Sequence, residues 1–116
     1  MINVYGIVNC GTVKKARAWL DARGISYAFV DFKKTPPDRQ QVARWCAALG
    51  IDAVVNRRGT TWRKLDPATQ ARAATEAGAI ALLVEHPSAI KRPVIEADAE
   101  LLIGFDEAVY AQRLRR

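Results

Sequence analysis

One residue in this sequence stands where a nucleophile could be made. It is Cys10, in the stretch Val4-Tyr5-Gly6-Ile7-Val8-Asn9-Cys10-Gly11-Thr12-Val13-Lys14-Lys15-Ala16-Arg17. After it, Val13, Ala16, Trp19, Leu20 and Arg23 follow a three–four spacing, which predicts a helix from about Thr12 with its apolar members on one face and Lys14, Ala18 and Asp21 on the other. The first turn of a helix leaves backbone N–H groups without partners and carries partial positive charge, so an anion is stabilised there. A thiol in that position near cations has its pKa lowered from about 8.5 into the range of roughly 3.5–7.5, and the thiolate is the reactive form. Gly11 keeps a side chain out of the way of an approaching sulfur or oxyanion, and Thr12 is a candidate N-cap. Free cysteine is also among the most buried residue types. Taken locally, the motif leaves a reactive and a structural cysteine equally open.

The remaining chemistry-bearing residues narrow the choice of mechanism. Cys46 lies on the apolar stripe Val42, Trp45, Cys46, Leu49 and is read as core. A Cys-x-x-Cys pair would need its second thiol at position 13, where the chain has Val13, so any redox cycle at Cys10 must take that thiol from elsewhere. His86, before Pro87 at a helix end, is read as structural, and Asp66, before Pro67, as a helix cap rather than an acid. Two separated cysteines and one histidine do not make a zinc site, and no glycine-rich dinucleotide or P-loop pattern occurs.

The elements that must position Cys10 can be read in order. Ile2 to Tyr5 is a strand, and Tyr27 to Phe32, after Gly24 closes the first helix, is a second; together they make a βαβ unit with a parallel pair. Thr35-Pro36-Pro37-Asp38 starts the next helix, with Thr35 as cap and Pro36 at the first helical position, and Gly50 ends it. Ile51 to Asn56 is a short helix before a polar turn, Arg57-Arg58-Gly59-Thr60-Thr61. Another helix runs from Asp66-Pro67 to about Ala77, and Ile80, Leu83 and Val84 mark one more, stopped by His86-Pro87. Two apolar runs, Ala89 to Glu96 and Leu101 to Gly104, make a hairpin around Ala97-Asp98-Ala99-Glu100, and Asp106 caps a last helix through Leu114. The order β-α-β, helices, β-β-α predicts an α/β fold with a four-stranded mixed sheet. Pro93 enters a strand where proline is tolerated, and a cis bond there would put its neighbours in a tight turn near the first helix.

At 116 residues the chain fits one domain, 1–116, with a helical insertion at about 35–88. No apolar run reaches the eighteen or more residues that a membrane helix needs, and no secretory leader precedes the first strand, so a cytoplasmic protein is expected. Two cysteines in different settings fit a reducing compartment. The net charge of +6 raises nucleic acid as a partner. However, the basic residues are spread from Lys14 to Arg116, with one dense group at Arg113-Leu114-Arg115-Arg116, and no nucleic-acid-binding motif accompanies them. Specific nucleic-acid binding is not expected, and a basic surface serves anionic small molecules as well.

Four motifs in order resemble one family. Asn9-Cys10-Gly11-Thr12-Val13-Lys14-Lys15-Ala16-Arg17, the Thr35-Pro36-Pro37 start, Asn56-Arg57-Arg58-Gly59-Thr60-Thr61-Trp62-Arg63-Lys64-Leu65, and His86-Pro87 with Lys91-Arg92-Pro93 are similar to those of the ArsC/Spx family of thioredoxin-fold proteins, nearest its YffB-like branch. The resemblance covers essentially the whole chain. It implies a thioredoxin-like domain with an inserted helical segment. By analogy with the glutathione- and glutaredoxin-linked arsenate reductases of the family, it implies Cys10 as the nucleophile, Gly11 and Thr12 in its anion loop, Arg58 and Arg92 as anion ligands with Arg57 an alternative to Arg58, and Asn9 and the presumed cis-proline Pro93 as structural parts of the site.

Two departures from those enzymes bear on the substrate. Their third arginine belongs in the last hairpin, where this chain reads Glu100-Leu101-Leu102-Ile103-Gly104-Phe105, and their Asn-Pro-x-Cys lead-in is replaced by Gly6-Ile7-Val8-Asn9-Cys10. The resemblance therefore implies a monothiol reductase with glutathione as co-substrate and no bound cofactor, acting with glutathione or a glutaredoxin-type partner on a small oxyanion or a disulfide. The alternative it implies is an Spx-like regulatory protein that binds RNA polymerase without turnover. In that relative the switch is commonly a Cys-x-x-Cys pair, which Val13 removes here.

Overall fold

The computed structural model describes residues 1–114. Its element order is β1 (Ile2–Gly6), α1 (Gly11–Ala22), β2 (Ala28–Asp31), α2 (Arg39–Leu49), α3 (Ile51–Val54), α4 (Thr60–Lys64), α5 (Pro67–Ala71), α6 (Glu76–Glu85), β3 (Val94–Ala97), β4 (Glu100–Ile103) and α7 (Glu107–Arg113), with 3-10 turns at Arg72–Ala74 and Pro87–Ala89. These fall into two compact units, one of Met1–Thr35 with the segment from Arg92 onward, the other of Pro36–Lys91.

The first unit holds the sheet, in the order β2-β1-β3-β4. β1 runs parallel to β2 and antiparallel to β3, and β4 returns antiparallel to β3. This is the mixed four-stranded α/β arrangement that the element order predicts. α1 buries Val13, Ala16, Trp19 and Leu20, the stripe given by its three–four spacing. The core joins Ala16, Trp19 and Leu20 to Val4, Ile95, Leu102, Tyr110 and Leu114. Trp19 and Phe105 both meet the Tyr110 ring edge-on, with centroids 5.6 and 5.0 Å away. The Tyr110 hydroxyl donates to the Gly104 carbonyl, and burial pushes its pKa well above the ordinary tyrosine value. β1 meets α1 closely: a Cβ on Gly6 would lie 2.8 Å from Val13 Cγ2, so only glycine fits beneath the first turn of the helix.

The second unit is helical. α2 packs on α6, burying Val42, Trp45 and Cys46 on one and Ala79, Leu82 and Leu83 on the other. The segment after α3 is tied to the end of the unit by a bridge between Val55 and Ile90, flanked by bonds from Asn56 N to Ala89 O and from Lys91 N to Val54 O, both 2.8 Å.

Four boundaries differ from the sequence reading, each for a local reason. α1 is capped by Cys10 itself rather than by Thr12, which lies in the first turn. α2 is capped by Asp38, not Thr35: residues before proline are disfavoured in the helical region, so the helix does not start at Thr35 or Pro36 and waits until Pro37 is past. Asp38 and Gln41 then form a capping box, each side chain bonding the other's backbone N–H. Thr60 and Thr61 open α4 rather than continuing a turn. Finally, the alanine-rich helix stops at Ala74, because Thr75 leaves the helical conformation and caps α6 by accepting from Gly78 N. Ala77 thus belongs to α6.

A candidate thiol site at the start of the first helix

The topology brings Cys10 and Arg92 together. β1 and β3 are antiparallel with Tyr5 opposite Val94, so the chain leaving the end of β1 toward Cys10 passes the chain entering β3 from Arg92-Pro93. The Arg92–Pro93 bond is cis, as the position of Pro93 at a strand entrance implied. Pro93 is buried, and its carbonyl accepts from Gly104 N at 2.8 Å, anchoring this corner to the end of β4.

Cys10 is partly exposed and is not in a disulfide. It occupies the N-cap position of α1 in an extended conformation, with its carbonyl accepting from Lys14 N at 2.9 Å. Burial opposes ionisation of the thiol, but the N–H of Val13, a hydrogen bond and the charge of the Arg92 guanidinium, and the N–H of Thr12 outweigh it and hold the pKa below the ordinary thiol value. The sulfur forms no full cap bond, so the N–H groups of the first turn act as oriented dipoles around it. No acidic residue lies in that turn, and Lys14 and Lys15 are exposed there. Asn9 and Thr12 are also exposed. A Cβ built on Gly11 would meet nothing within 4 Å beyond its chain neighbours, so the fold itself makes no demand for a glycine here.

Cys46 is the opposite case. Burial first, and the Glu76 carboxylate second, raise its pKa, as suits a packed thiol and not a nucleophile.

Arg58 and Arg57 lie in the helical unit and differ sharply. Arg57 donates from Nη1 to Asp52 Oδ1 at 3.0 Å and rests 5.4 Å from the Trp62 ring centre. The backbone N–H of Arg58 donates to Asn56 Oδ1, and its exposed side chain enters no hydrogen bond, ion pair or ring contact among the described residues. Asp52 was the piece the sequence reading missed. Its spacing of five from Arg57 is neither of the standard helix pairings, so no pattern pointed to it. Lys91, whose place in the Lys91-Arg92-Pro93 motif carries no spacing signal of its own, lines one cavity of about 430 Å³ with Asp52, Asn56, Arg57 and Arg58.

The other candidates resolve simply. Asp66 caps α5, accepting from Thr69 N at 2.7 Å, and that contact lowers its pKa. His86 ends α6. Among the described residues no group of three or more His, Cys, Asp or Glu could hold a metal, and no helix is long and apolar enough to cross a membrane. In the basic C-terminal group, Arg113 pairs with Glu100 at 3.4 Å and Leu114 is buried, while Arg115 and Arg116 lie outside the described residues.

Residues 5–113 match the model of the ArsC family. The chain belongs to the ArsC family. Its fold is the thioredoxin-like one of that family. A YffB protein of known structure is 47% identical with a TM-score of 0.95, covering 99% of this chain and all of that one. An arsenate reductase (ArsC) related protein of Brucella melitensis is 39% identical with a TM-score of 0.75, over 99% of this chain and 95% of its own. Among curated relatives, an uncharacterized protein of Haemophilus influenzae is 41% identical over 95% of this chain and 96% of its own length. The global transcriptional regulator Spx of Bacillus subtilis is 26% identical over 92% of this chain and 82% of its own. This ArsC-family chain therefore has relatives of both arsenate-reductase-like and Spx-like kinds.

Proposed function

We propose that this ArsC-family protein is a glutathione-dependent monothiol reductase. The observation that carries the reading is the Cys10 sulfur at the N-cap of α1 beside the Arg92 guanidinium, with its pKa below the ordinary thiol value. In the reaction proposed, the Cys10 thiolate attacks one sulfur of a disulfide RS–SR′, forming Cys10–S–SR and releasing R′S⁻, which takes a proton from water. A glutathione thiolate then attacks the Cys10 sulfur, forming the Cys10–glutathione disulfide and releasing RS⁻. A second glutathione thiolate attacks the glutathione sulfur, restoring the Cys10 thiolate and leaving oxidised glutathione; a glutaredoxin-type thiol could take this last step. Two glutathione molecules are oxidised for each disulfide reduced, and no second protein cysteine is consumed, which suits Val13 and the packed Cys46. Arg58 is proposed as a further anion ligand. The missing third arginine in the β3–β4 hairpin argues for a disulfide over arsenate as substrate.

The test is mass-spectrometric trapping of the Cys10–glutathione disulfide, with coupled measurement of oxidised glutathione during reduction of a small disulfide. An adduct at Cys10 with turnover, both lost in Cys10→Ser, is the expected result. Turnover that survives in Cys10→Ser would overturn it.

The Spx relatives support a second reading, a regulatory protein that binds RNA polymerase. Against it stands Val13, where a Cys-x-x-Cys switch would place its second thiol. Stable retention of polymerase subunits by the purified protein, with no glutathione turnover, would favour this second reading.

A further inference from the structure

The sheet-bearing unit has an edge that the chemistry of Cys10 does not use. β2 is the last strand on its side and pairs with β1 alone among the described residues. In a parallel pair, alternate residues turn their backbone groups toward the neighbouring strand. The bond from Phe32 N to Gly6 O sets that alternation, so Val30 and Phe32 face β1 while Phe29 and Asp31 face outward. The Asp31 carbonyl is closed by the N–H groups of Lys34 and Thr35. The outward N–H and C=O of Phe29 have no such partner among the described residues, and Ala28 beside it is exposed. An open N–H and C=O on an edge strand is a template for a further strand.

A prepared cation stands at the same position. The Phe29 side chain packs against the core on the α1 side of the sheet. There the Arg17 guanidinium rests 4.1 Å from its ring centre and 5.8 Å from that of Tyr27, and Arg17 Nε donates to the Tyr27 hydroxyl at 3.1 Å. Asp21, one turn along α1, is the position from which a helix ordinarily supplies a partner, yet Arg17 makes no ion pair among the described residues. Its Nη groups therefore remain as a fork for a carboxylate, held in place by the two rings. Arg17 also lines a cavity of about 500 Å³ with Asp21, Ser26, Tyr27 and Phe29, which gives an incoming side chain room. Lys14, on the same flank of α1, and Lys33 and Lys34, after the end of β2, are exposed and make no ion pair among the described residues. Two carboxylates, Asp21 and Asp31, stand against these four cations, and Asp31 Oδ1 already accepts from Lys33 N. The rim of this edge is positive.

We infer that the outer edge of β2 is a docking strip for an extended acidic segment of a partner polypeptide, which adds to the sheet antiparallel to β2 and places a glutamate opposite Phe29. In that register the glutamate exchanges both backbone bonds with Phe29, and its side chain lies on the Phe29 face, where the Arg17 fork takes the carboxylate. The backbone groups of Phe29 supply the strand addition, and Arg17 makes it selective for an acidic residue. A second copy of this chain is the poorer occupant, because β2 against β2 brings two basic rims together.

The experiment titrates the full-length, isotope-labelled protein with three peptides, followed by amide NMR. The first is acetyl-Thr-Val-Glu-Val-Thr-amide, the second carries glutamine for glutamate, and the third has the glutamate nitrogen methylated. The first peptide shifts the Phe29 amide and slows its hydrogen exchange. The glutamine peptide binds about fivefold more weakly, the scale of one partly exposed charge pair. The methylated peptide binds about tenfold more weakly, because it cannot donate to the Phe29 carbonyl. Arg17→Gln removes the preference for glutamate over glutamine, and Arg17→Lys, which keeps the charge without the fork, restores part of it. The peptide comparisons are made on the unaltered protein and do not depend on how these variants fold. Equal binding of the glutamate and glutamine peptides, or of the methylated and unmethylated ones, overturns the inference. So do shifts that leave Phe29 untouched, and so does a Phe29 amide that moves with protein concentration in the absence of peptide, which assigns the edge to a second copy.

Discussion

The Arg92 guanidinium stands beside the Cys10 sulfur and lowers its pKa, although the whole helical unit separates the two residues in sequence. The contact exists because β3 runs antiparallel to β1, so the residue before Pro93 arrives beside the loop that leaves Gly6. Its consequence is a thiol that ionises below its ordinary value despite burial. Followed by thiolate absorbance or alkylation rate against pH, Cys10 should titrate below a free cysteine, and Arg92→Gln should move that midpoint upward. The sign extends to stability. Because folding depresses this pKa, the thiolate favours the folded state above the ordinary thiol pKa, and that contribution is lost as pH falls through the lowered value. Wild type minus Cys10→Ser should therefore gain stability with rising pH across that window. A midpoint unchanged by Arg92→Gln would mean that the N–H groups of Val13 and Thr12 hold the thiolate alone.

Gly6 and Gly11 flank the thiol loop and should respond oppositely to alanine. A Cβ on Gly6 would strike Val13 Cγ2 at 2.8 Å, and Val13 is buried against the strand, so α1 must shift. Overpacking of this kind costs about 1–3 kcal/mol, to be read by urea unfolding. Because the Val13 N–H helps to hold the thiolate, Gly6→Ala should also raise the Cys10 midpoint. Gly11→Ala meets nothing, and alanine favours a helix, so stability should hold or rise by up to about 1 kcal/mol. The Cys10 midpoint should stay in place, because the first-turn N–H groups of Val13 and Thr12 do not have to move.

The contrast between these glycines shows what the sequence could and could not yield. The stripe Val13, Ala16, Trp19, Leu20 and the strand–helix–strand order are local patterns with fixed periods, and they placed α1 and all four strands. The Arg92–Cys10 contact is not local: Cys10 stood out from its place at a helix start, but only motif resemblance brought Arg92 to it. Helix boundaries failed where two local signals competed. Thr35 and Asp38 are both good caps, and the double proline between them decides for the later one. Thr75 sits inside an alanine-rich run whose propensity hid the cap. The Asp52–Arg57 pair lay beyond sequence reasoning, since it depends on how α3 ends and the following loop turns.

Gly78 should be the least replaceable glycine of the helical unit. A Cβ there would lie 2.1 Å from the Arg72 carbonyl oxygen and 2.9 Å from Thr75 Oγ1. The first is backbone and cannot rotate away; the second is the hydroxyl that caps α6 by accepting from Gly78 N. Gly78→Ala should destabilise by about 1–3 kcal/mol or more in chemical denaturation. Thr75→Ala, which loses the cap without a clash, should cost about 1 kcal/mol. Equal losses in the two variants would show that the helix start relaxes around the added methyl.

Arg57 and Arg58 are adjacent, alike and separable. Arg57 is committed to Asp52 and lies by Trp62, whereas the Arg58 side chain projects without an ion pair among the described residues. The Arg57–Asp52 pair is exposed, so Arg57→Gln should change stability by no more than about 1 kcal/mol. If Arg58 is the anion ligand, Arg58→Gln should raise KM for glutathione by about tenfold, with a smaller effect on kcat, the signature of lost ground-state binding. Arg57→Gln should leave KM within about twofold of wild type. The reverse ranking, with Arg57→Gln the more damaging, would assign the anion to Arg57 and require Asp52 to release it on binding. Measuring Asp52→Asn beside both separates these cases: it should lower KM only if freeing Arg57 supplies the missing cation.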